Sequence, residues 1–410
     1  MSRLAYELRD GHEVALLQGA AELYATLGAA VDVAQHEVLL ETYILDPAGS
    51  TAQLLARLMA AARRGVRVCV LVDGVGTGAL PARWQTQLYD AGVQLQVYEP
   101  LGTLGLLLPS RWRRLHRKLA VVDRQTAFCG GINLLDDLLD PNLGALELPR
   151  LDYAVRVSGP LVAQVHQVML QLWTRTEVAR DLRRHDLPRA MAGYRAMQAG
   201  KTSAQSLGTQ RNSPGDERGG MRAALLLRDN LFNRYEIERA YRRAIGAARR
   251  EVVIANAYFL PGRKLRHALV RAAQRGVRVR LLLQGQYEYF MAHYASRPVY
   301  RALLRAGVQI HLYAPSMLHA KVAVIDTKWA TVGSSNLDPL SLLLAREANV
   351  VIEDRGFAEH LHARLDGLIA RDAKLLDMAA VNDASWVERL LEWVALGALR
   401  LALFVSGKRY

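Results

Sequence analysis

The chain repeats itself, and that repetition limits its fold more than any other feature. His116-Arg-Lys-Leu-Ala-Val-Val-Asp123 returns as His319-Ala-Lys-Val-Ala-Val-Ile-Asp326, and Asn133 and Asn336 follow at the same spacing from their histidines. Upstream, Arg63-Arg-Gly-Val-Arg-Val-Cys-Val-Leu-Val72 returns as Gln274-Arg-Gly-Val-Arg-Val-Arg-Leu-Leu-Leu283. Each reads as a helix end, a Gly stop and a buried strand. Further strand candidates, Glu37–Ile44 and Glu251–Tyr258, precede these, with helical stretches Ala52–Arg64 and Arg263–Arg275 between. Strand, helix and strand at these lengths mean parallel α/β units.

The expected fold is therefore α/β: two duplicated α/β domains, each a mixed sheet flanked by helices, related by a pseudo-twofold axis, with His116 and His319 meeting at their interface. A chain of 410 residues exceeds the usual span of one core, in keeping with two. The expected division is a first domain over 1–195, a linker or mobile loop over 196–222, a second domain over 223–372 and an amphipathic C-terminal helix over 373–410. Asn212-Ser-Pro-Gly-Asp-Glu-Arg-Gly-Gly220 supplies turn formers to the linker.

Side chains alternate along a strand, so His116 and Lys118 share a face while Asp123, an odd number of residues on, points away. The same parity holds for His319, Lys321 and Asp326, so each motif offers a His-Lys pair with an Asp suited to a structural role. The pairing suits phosphate: an ammonium holds anionic oxygens while an imidazole attacks phosphorus or shuttles a proton. The turns Gly130-Gly-Ile-Asn133 and Gly333-Ser-Ser-Asn336 can bring backbone N–H groups and an amide close to an oxyanion.

With these residues in place, the chain resembles the phospholipase D superfamily, whose signature is His-x-Lys-x4-Asp present twice and followed by Gly-Gly/Ser and Asn. Within it the chain looks like bacterial cardiolipin synthases of the B type, which lack N-terminal membrane helices; Asp123–Asn133 and Ile254–Gly262 support this. The resemblance implies ping-pong transfer of a phosphatidyl group without a cofactor or metal: one histidine attacks phosphorus, the other protonates the leaving alcohol and then deprotonates the incoming one. It makes His116, Lys118, Asp123, His319, Lys321 and Asp326 the candidate catalytic set. It assigns Lys118, Lys321, Asn133 and Asn336 to the phosphoryl oxygens, and Asp152 and Glu347 to orienting the imidazoles. The two motifs are too alike to show which histidine attacks; the family pattern points to His116. The expected product is cardiolipin from two phosphatidylglycerols, with phosphatidylethanolamine as a further candidate lipid and no obligate protein partner.

Other motifs yield less. Asp73-Gly-Val-Gly-Thr-Gly78 fits a loose dinucleotide fingerprint, but its counterpart Gln284-Gly-Gln286 does not, so a βα loop is expected. Lys201-Thr202 lacks the upstream glycine of a P-loop, since position 195 is Arg195. His36, His166, His267 and His311 show no metal-ligand spacing. Cys69 and Cys129 read as buried thiols of a reducing compartment. Glu41 and Tyr258 are on strands that could border the cleft, with ordinary strand-end and core roles as alternatives.

The net charge of +14 favours an anionic partner, lipid or nucleic acid. The N-terminal decapeptide has scattered charges, which predicts neither signal peptide nor anchor and makes the cytoplasm the default. Trp386–Val405 is apolar but carries Glu388, Arg389, Glu392 and Arg400, which fits an interfacial helix better than a spanning one; a helix packed on the protein body is the alternative. Leu104–Arg114, with its leucines, Trp112 and arginines, is a candidate membrane-dipping lip or an internal turn. These segments favour a peripheral enzyme on an anionic membrane, the cytoplasmic face of a bacterial inner membrane, over the alternatives of a nuclease or another phospholipid phosphodiesterase of the superfamily. Intact motifs argue against a scaffold without chemistry.

Overall fold

The computed structural model describes residues 6–100, 105, 113–140, 144–183, 185–189, 191–195, 219–229, 233–286, 290–338, 345–382, 386, 389, 391–395 and 397. Most of the candidate lip and of the expected linker lies outside the described residues.

The first half contains β1 (Arg9–Gln18), β2 (Glu37–Thr42), β3 (Arg67–Asp73), β4 (Gln94–Tyr98), β5 (Arg114–Leu115), β6 (Lys118–Val122), β7 (Thr126–Gly130), β8 (Leu139–Asp140), β9 (Gly144–Ala145) and β10 (Tyr153–Ser158). The second contains β11 (Met221–Arg228), β12 (Glu251–Asn256), β13 (Arg278–Gln284), β14 (Gln309–Tyr313), β15 (Lys321–Ile325), β16 (Trp329–Gly333), β17 (Ala345–Glu353) and β18 (Ala373–Leu375). Apart from the small β8–β9 hairpin these strands form one sheet, ordered β18-β14-β13-β12-β15-β16-β17-β11-β1-β10-β7-β6-β2-β3-β4, with β5 alongside β17. Outward from the β11–β1 junction the two arms run through equivalent strands in the same order, which is the expected duplication. The β2–β3–β4 and β12–β13–β14 pairings are parallel, as helical crossovers require, and the inner pairings are antiparallel.

The two halves thus share a sheet: β1 runs antiparallel to β11, pairing Arg9 with Ala223 and His12 with Met221. A strand therefore starts at Met221, two residues before the expected edge of the second domain. At the other end, β18 pairs with β14, so the chain just after 372 completes the second half's sheet instead of beginning a separate helix. Three residues, two of them exposed, carry no periodic signal that sequence could show.

Alternation along the strands builds two layers. Leu39, Leu119, Val121, Val322 and Val324 face a central core shared by both halves, covered by the helices Leu161–Arg183 and Arg355–Asp372. Their neighbours Val38, Leu40, Ala120 and Val122 face a core private to the first half, and Ala323 and Ile325 one private to the second. The central core binds the halves together.

The motif aspartates serve this scaffold. Asp123 and Arg124 have φ of 49° and 57°, and Asp326 and Thr327 have 53° and 50°. Gln125 N–H bonds to Val122 O and Lys328 N–H to Ile325 O, which makes both connections type I′ turns, where Asp tolerates the left-handed conformation. The Asp123 carboxylate accepts N–H bonds from Gln35, His36 and Glu37 at 2.7–2.8 Å. Asp326 accepts from Arg249, Arg250 and Glu251 at 2.8–2.9 Å. Each ties its hairpin to the start of the neighbouring strand, roughly 16 Å along the strand from the motif lysine.

The C-terminal part presents both buried and exposed side chains. Among the described residues of 386–397, Glu392 and Ala395 are buried, with Glu392 paired to Arg301, whereas Trp386, Trp393 and Val394 are exposed. No helix among the described residues is long and apolar enough to cross a membrane.

Replacing Asp123 by Ala leaves three N–H groups without their acceptor and is expected to lower the unfolding free energy by about 1–3 kcal/mol in urea titrations. The catalytic rate per folded molecule should be unchanged; a specific loss of rate would place the carboxylate in the chemistry.

Candidate active site

His116 lies in the two-residue gap between β5 and β6, so the strand parity that pairs it with Lys118 operates just outside the strand. Lys118 Nζ donates to His116 O at 2.7 Å, and Lys321 Nζ donates to His319 O in the same way. A short loop so placed keeps the imidazole at the sheet's end while the lysine stays in the buried strand.

Each imidazole is held by the opposite half. His116 Nδ1 is 3.0 Å from Glu347 Oε1, and His319 Nδ1 is 2.6 Å from Asp152 Oδ2. The backbone crosses over as well: His116 N–H donates to Arg346 O at 3.0 Å, and His319 N–H to Leu151 O at 2.8 Å. Leu151 N–H donates to Met317 O at 2.9 Å, and β5 runs parallel to β17 through Arg114 and Leu115. The carboxylates are essentially sealed, while the imidazole side chains keep 16% and 19% exposure, enough to meet a substrate. With Nδ1 on a carboxylate, Nε2 is the ring nitrogen left for a further partner.

Glycines and a serine make room for the carboxylates. A Cβ on Gly131 would come within 2.3 Å of Asp152 Oδ1, so the Gly-Gly turn lets that carboxylate fit beneath His319. In the second half the matching residue is Ser334, whose hydroxyl donates to Glu347. The difference between Gly-Gly-Ile-Asn and Gly-Ser-Ser-Asn thus reflects two ways of packing an acid.

Burial and charge set the proton affinities. Burial lowers His116 below the usual histidine value in spite of Glu347, and lowers His319 further, with the cations Lys321 and Lys118 adding to the effect. Burial takes Lys118 down to about 7. Asp152 is lifted to about 6 by burial, against the pull of Lys321. Glu347, although burial opposes it, is drawn below the usual value by His116, Lys118 and the Ser334 hydroxyl. The cross-influence of the two motifs places both in one site.

Asn133 is buried, and its Oδ1 accepts the Ile44 N–H at 3.2 Å; Asn336 is buried at the corresponding turn. The amides therefore lie at the strand ends that frame the site. Glu41 is placed elsewhere: it is buried on the central-core face and receives Arg117, whose Nη2 also donates to Val168 O on the covering helix. Tyr258 follows β12. The ring that does meet a motif histidine is Tyr43, which sequence reasoning missed: its centroid is 4.9 Å from that of His116. Its signal in the sequence was its place near the end of the repeated strand candidate Glu37–Ile44. Cys69 and Cys129 are buried thiols, pushed up by burial to about 11 and about 12. Among the described residues, no group of three or more His, Cys, Asp or Glu is arranged to hold a metal.

Comparisons with known proteins agree with this geometry. The family described as cardiolipin synthase, PLD-like domain matches residues 27–173 and 241–369. Cardiolipin synthase B of Escherichia coli K12 is 38% identical over 92% of this chain and 85% of its own length. Cardiolipin synthase A of Yersinia pseudotuberculosis is 28% identical over 93% of this chain and 74% of its own. Among solved structures, phosphatidylserine synthase of Haemophilus influenzae superposes with a TM-score of 0.70 at 14% identity, covering 97% of both chains, a likeness of fold. Paired His-Lys motifs, crossed carboxylates and this degree of identity converge on one assignment: the chain belongs to the cardiolipin synthase, phospholipase D-like family of phosphatidyltransferases.

Proposed function

We propose that this protein transfers a phosphatidyl group from one phosphatidylglycerol to the terminal hydroxyl of another through a phosphohistidine, forming cardiolipin and releasing glycerol. The observation that carries this reading is the pair of mostly buried but still accessible imidazoles in one site, each with a buried carboxylate from the other half on Nδ1. His116 Nε2 attacks phosphorus, and the P–O bond to glycerol breaks as His319 delivers a proton to the departing oxygen. His319, now neutral, takes the proton of the incoming hydroxyl, whose oxygen displaces His116 from phosphorus. Lys118 and Lys321 hold the non-bridging oxygens, and Asn133 and Asn336 frame them.

The two carboxylates suit this division. Glu347, kept anionic, balances the positive charge that His116 acquires as a phosphohistidine. Asp152, lifted to about 6, shares a proton with His319, and the pair acts as one acid. Burial is the main cause that depresses His319 and the lysines add to it; an anionic phosphodiester between the lysines offsets their part, so substrate raises the proton affinity of the general acid. Exposed Trp386 and Trp393 suit a bilayer interface, in support of a peripheral enzyme on the cytoplasmic face of an inner membrane.

The primary test incubates purified protein with phosphatidylglycerol vesicles in chelator and resolves lipids by mass spectrometry. Wild type should yield cardiolipin and glycerol, and His116→Ala and His319→Ala neither. Chelator-resistant cleavage of single-stranded DNA without cardiolipin would indicate the nuclease.

The acidity of Lys118 gives a second test. Its charged form binds phosphate, so kcat/KM should fall as pH rises through about 7. Lys118→Arg, slower but permanently charged, should lose that alkaline limb. If the limb persists, it belongs to the His319–Asp152 pair.

A further inference from the structure

The two halves of the site are not equally supported, and the difference is concentrated at Tyr43. Its ring meets the His116 imidazole with a centroid separation of 4.9 Å and a tilt of 57°. Lys118 Nζ lies 5.5 Å from the centre of the same ring. Register fixes the counterpart: β2 ends at Thr42 and β12 at Asn256, so the second half has Ala257 where the first has Tyr43. His319 is thus paired with a strand end that carries a methyl group in place of a ring.

The ring is clamped from behind by the Gly-rich loop that resembles a nucleotide fingerprint. A Cβ on Gly76 would lie 2.7 Å from two Tyr43 ring carbons and 2.4 Å from its carbonyl oxygen. Thr77 Oγ1 donates to Tyr43 O at 3.0 Å and accepts Leu45 N–H at 3.1 Å. The loop is held by Asp73, which is fully buried: Oδ1 accepts N–H from Val75 at 2.8 Å and Gly76 at 3.1 Å. Asp73 Oδ2 accepts the N–H of Leu115 at 2.8 Å, and Leu115 immediately precedes His116. One carboxylate therefore fixes both the loop that backs Tyr43 and the chain that carries the histidine. Gln284, at the corresponding end of β13, instead donates to Met317 Sδ.

We propose that Tyr43 is a positioning residue for His116: its ring sets the plane of the imidazole and the place of the Lys118 ammonium, and the Asp73 loop holds the ring there. The Glu347 contact and the backbone bond to Arg346 restrain one edge of the histidine, and rotation about that edge would swing Nε2 away from phosphorus. A tilted aromatic neighbour removes that freedom. The ring face also favours the charged lysine, whose ammonium is otherwise desolvated. This inference rests on the reading above in which His116 attacks, and it fits the placing of the ring beside that histidine: a nucleophile must hold an attack direction more strictly than a proton donor.

The test compares Tyr43→Phe, Tyr43→Ala and Gly76→Ala in the full chain, with phosphatidylglycerol in mixed micelles as the probe. Tyr43→Phe keeps the ring and should keep the wild-type rate. Tyr43→Ala should lower kcat by about 10- to 100-fold with KM unchanged, the scale of a displaced reacting group. Gly76→Ala, which pushes on the ring without touching the site, should shift kcat in the same direction. Thermal unfolding identifies any variant that fails to fold. Without any substrate, the NMR signal of the His116 imidazole should move in Tyr43→Ala and stay in Tyr43→Phe. Wild-type kcat in Tyr43→Ala, or an unmoved His116 signal, would overturn the proposal; so would an equal loss in Tyr43→Phe, which would credit the hydroxyl. A failure of the function reading shows separately, as absent cardiolipin in wild type or a covalent lipid adduct on His319 instead of His116.

Discussion

An imidazole that must aim one nitrogen and carry a proton needs its other nitrogen held, and here each half of the chain holds the histidine of the other. Asp152 lies just before β10 and reaches His319; Glu347 lies in β17 and reaches His116. Burying a carboxylate without partners is costly, so removing either histidine would leave an acid of the opposite half less well compensated. The shared sheet through β1 and β11, the common core and the crossed backbone bonds at Leu151 and Arg346 all keep that arrangement in register. Neither half alone supplies the carboxylate that its own motif histidine meets.

Duplication supplied the plan, and divergence made the two positions different. Asp152 is one methylene shorter than Glu347 and fits directly over Gly131; Glu347 is met by the Ser334 hydroxyl. The first is driven toward its protonated form and the second toward its charged form. Behind the sheet, Arg117 and Glu41 form a buried pair under the Leu161–Arg183 helix, where the second half has Ala320 and Ala255 in the core. The first half is thus braced by charge and by an aromatic ring, the second by close apolar packing.

Much of this was legible in the chain because repetition turns weak signals into strong ones. The repeated strands and helices lie within about two residues of where glycine stops and apolar runs place them. His116, Lys118, His319 and Lys321 follow from spacing, and Asp152 and Glu347 from the family resemblance. What stayed hidden depends on tertiary contact. Nothing local in Leu151-Asp-Tyr153 shows that its carboxylate belongs to a histidine over a hundred residues away, and Tyr43 looks like any aromatic at a strand end. Reading the cleft by strand position selects Tyr258, one step past Ala257, whereas the ring that meets an imidazole is in the first half. β18 was invisible because a three-residue edge strand has no period to read.

The positive charge of the chain takes on a sharper meaning once burial is known. Arg117, Arg150, Arg228 and Arg280 are buried, yet so are Glu37, Glu41, Asp73, Asp152, Glu347 and Glu392, so interior charges largely face one another. The excess of +14 is therefore carried mainly by the surface, where it attracts anionic assemblies of any kind. Selectivity must come from the site itself. There Lys118 and Lys321 adjoin two histidines whose proton affinity is depressed by burial and by those lysines. In the proposed transfer, a negative charge bound between the lysines would offset their part in lowering the proton affinity of His319. In that transfer, binding and acid catalysis are thus linked through the same charge.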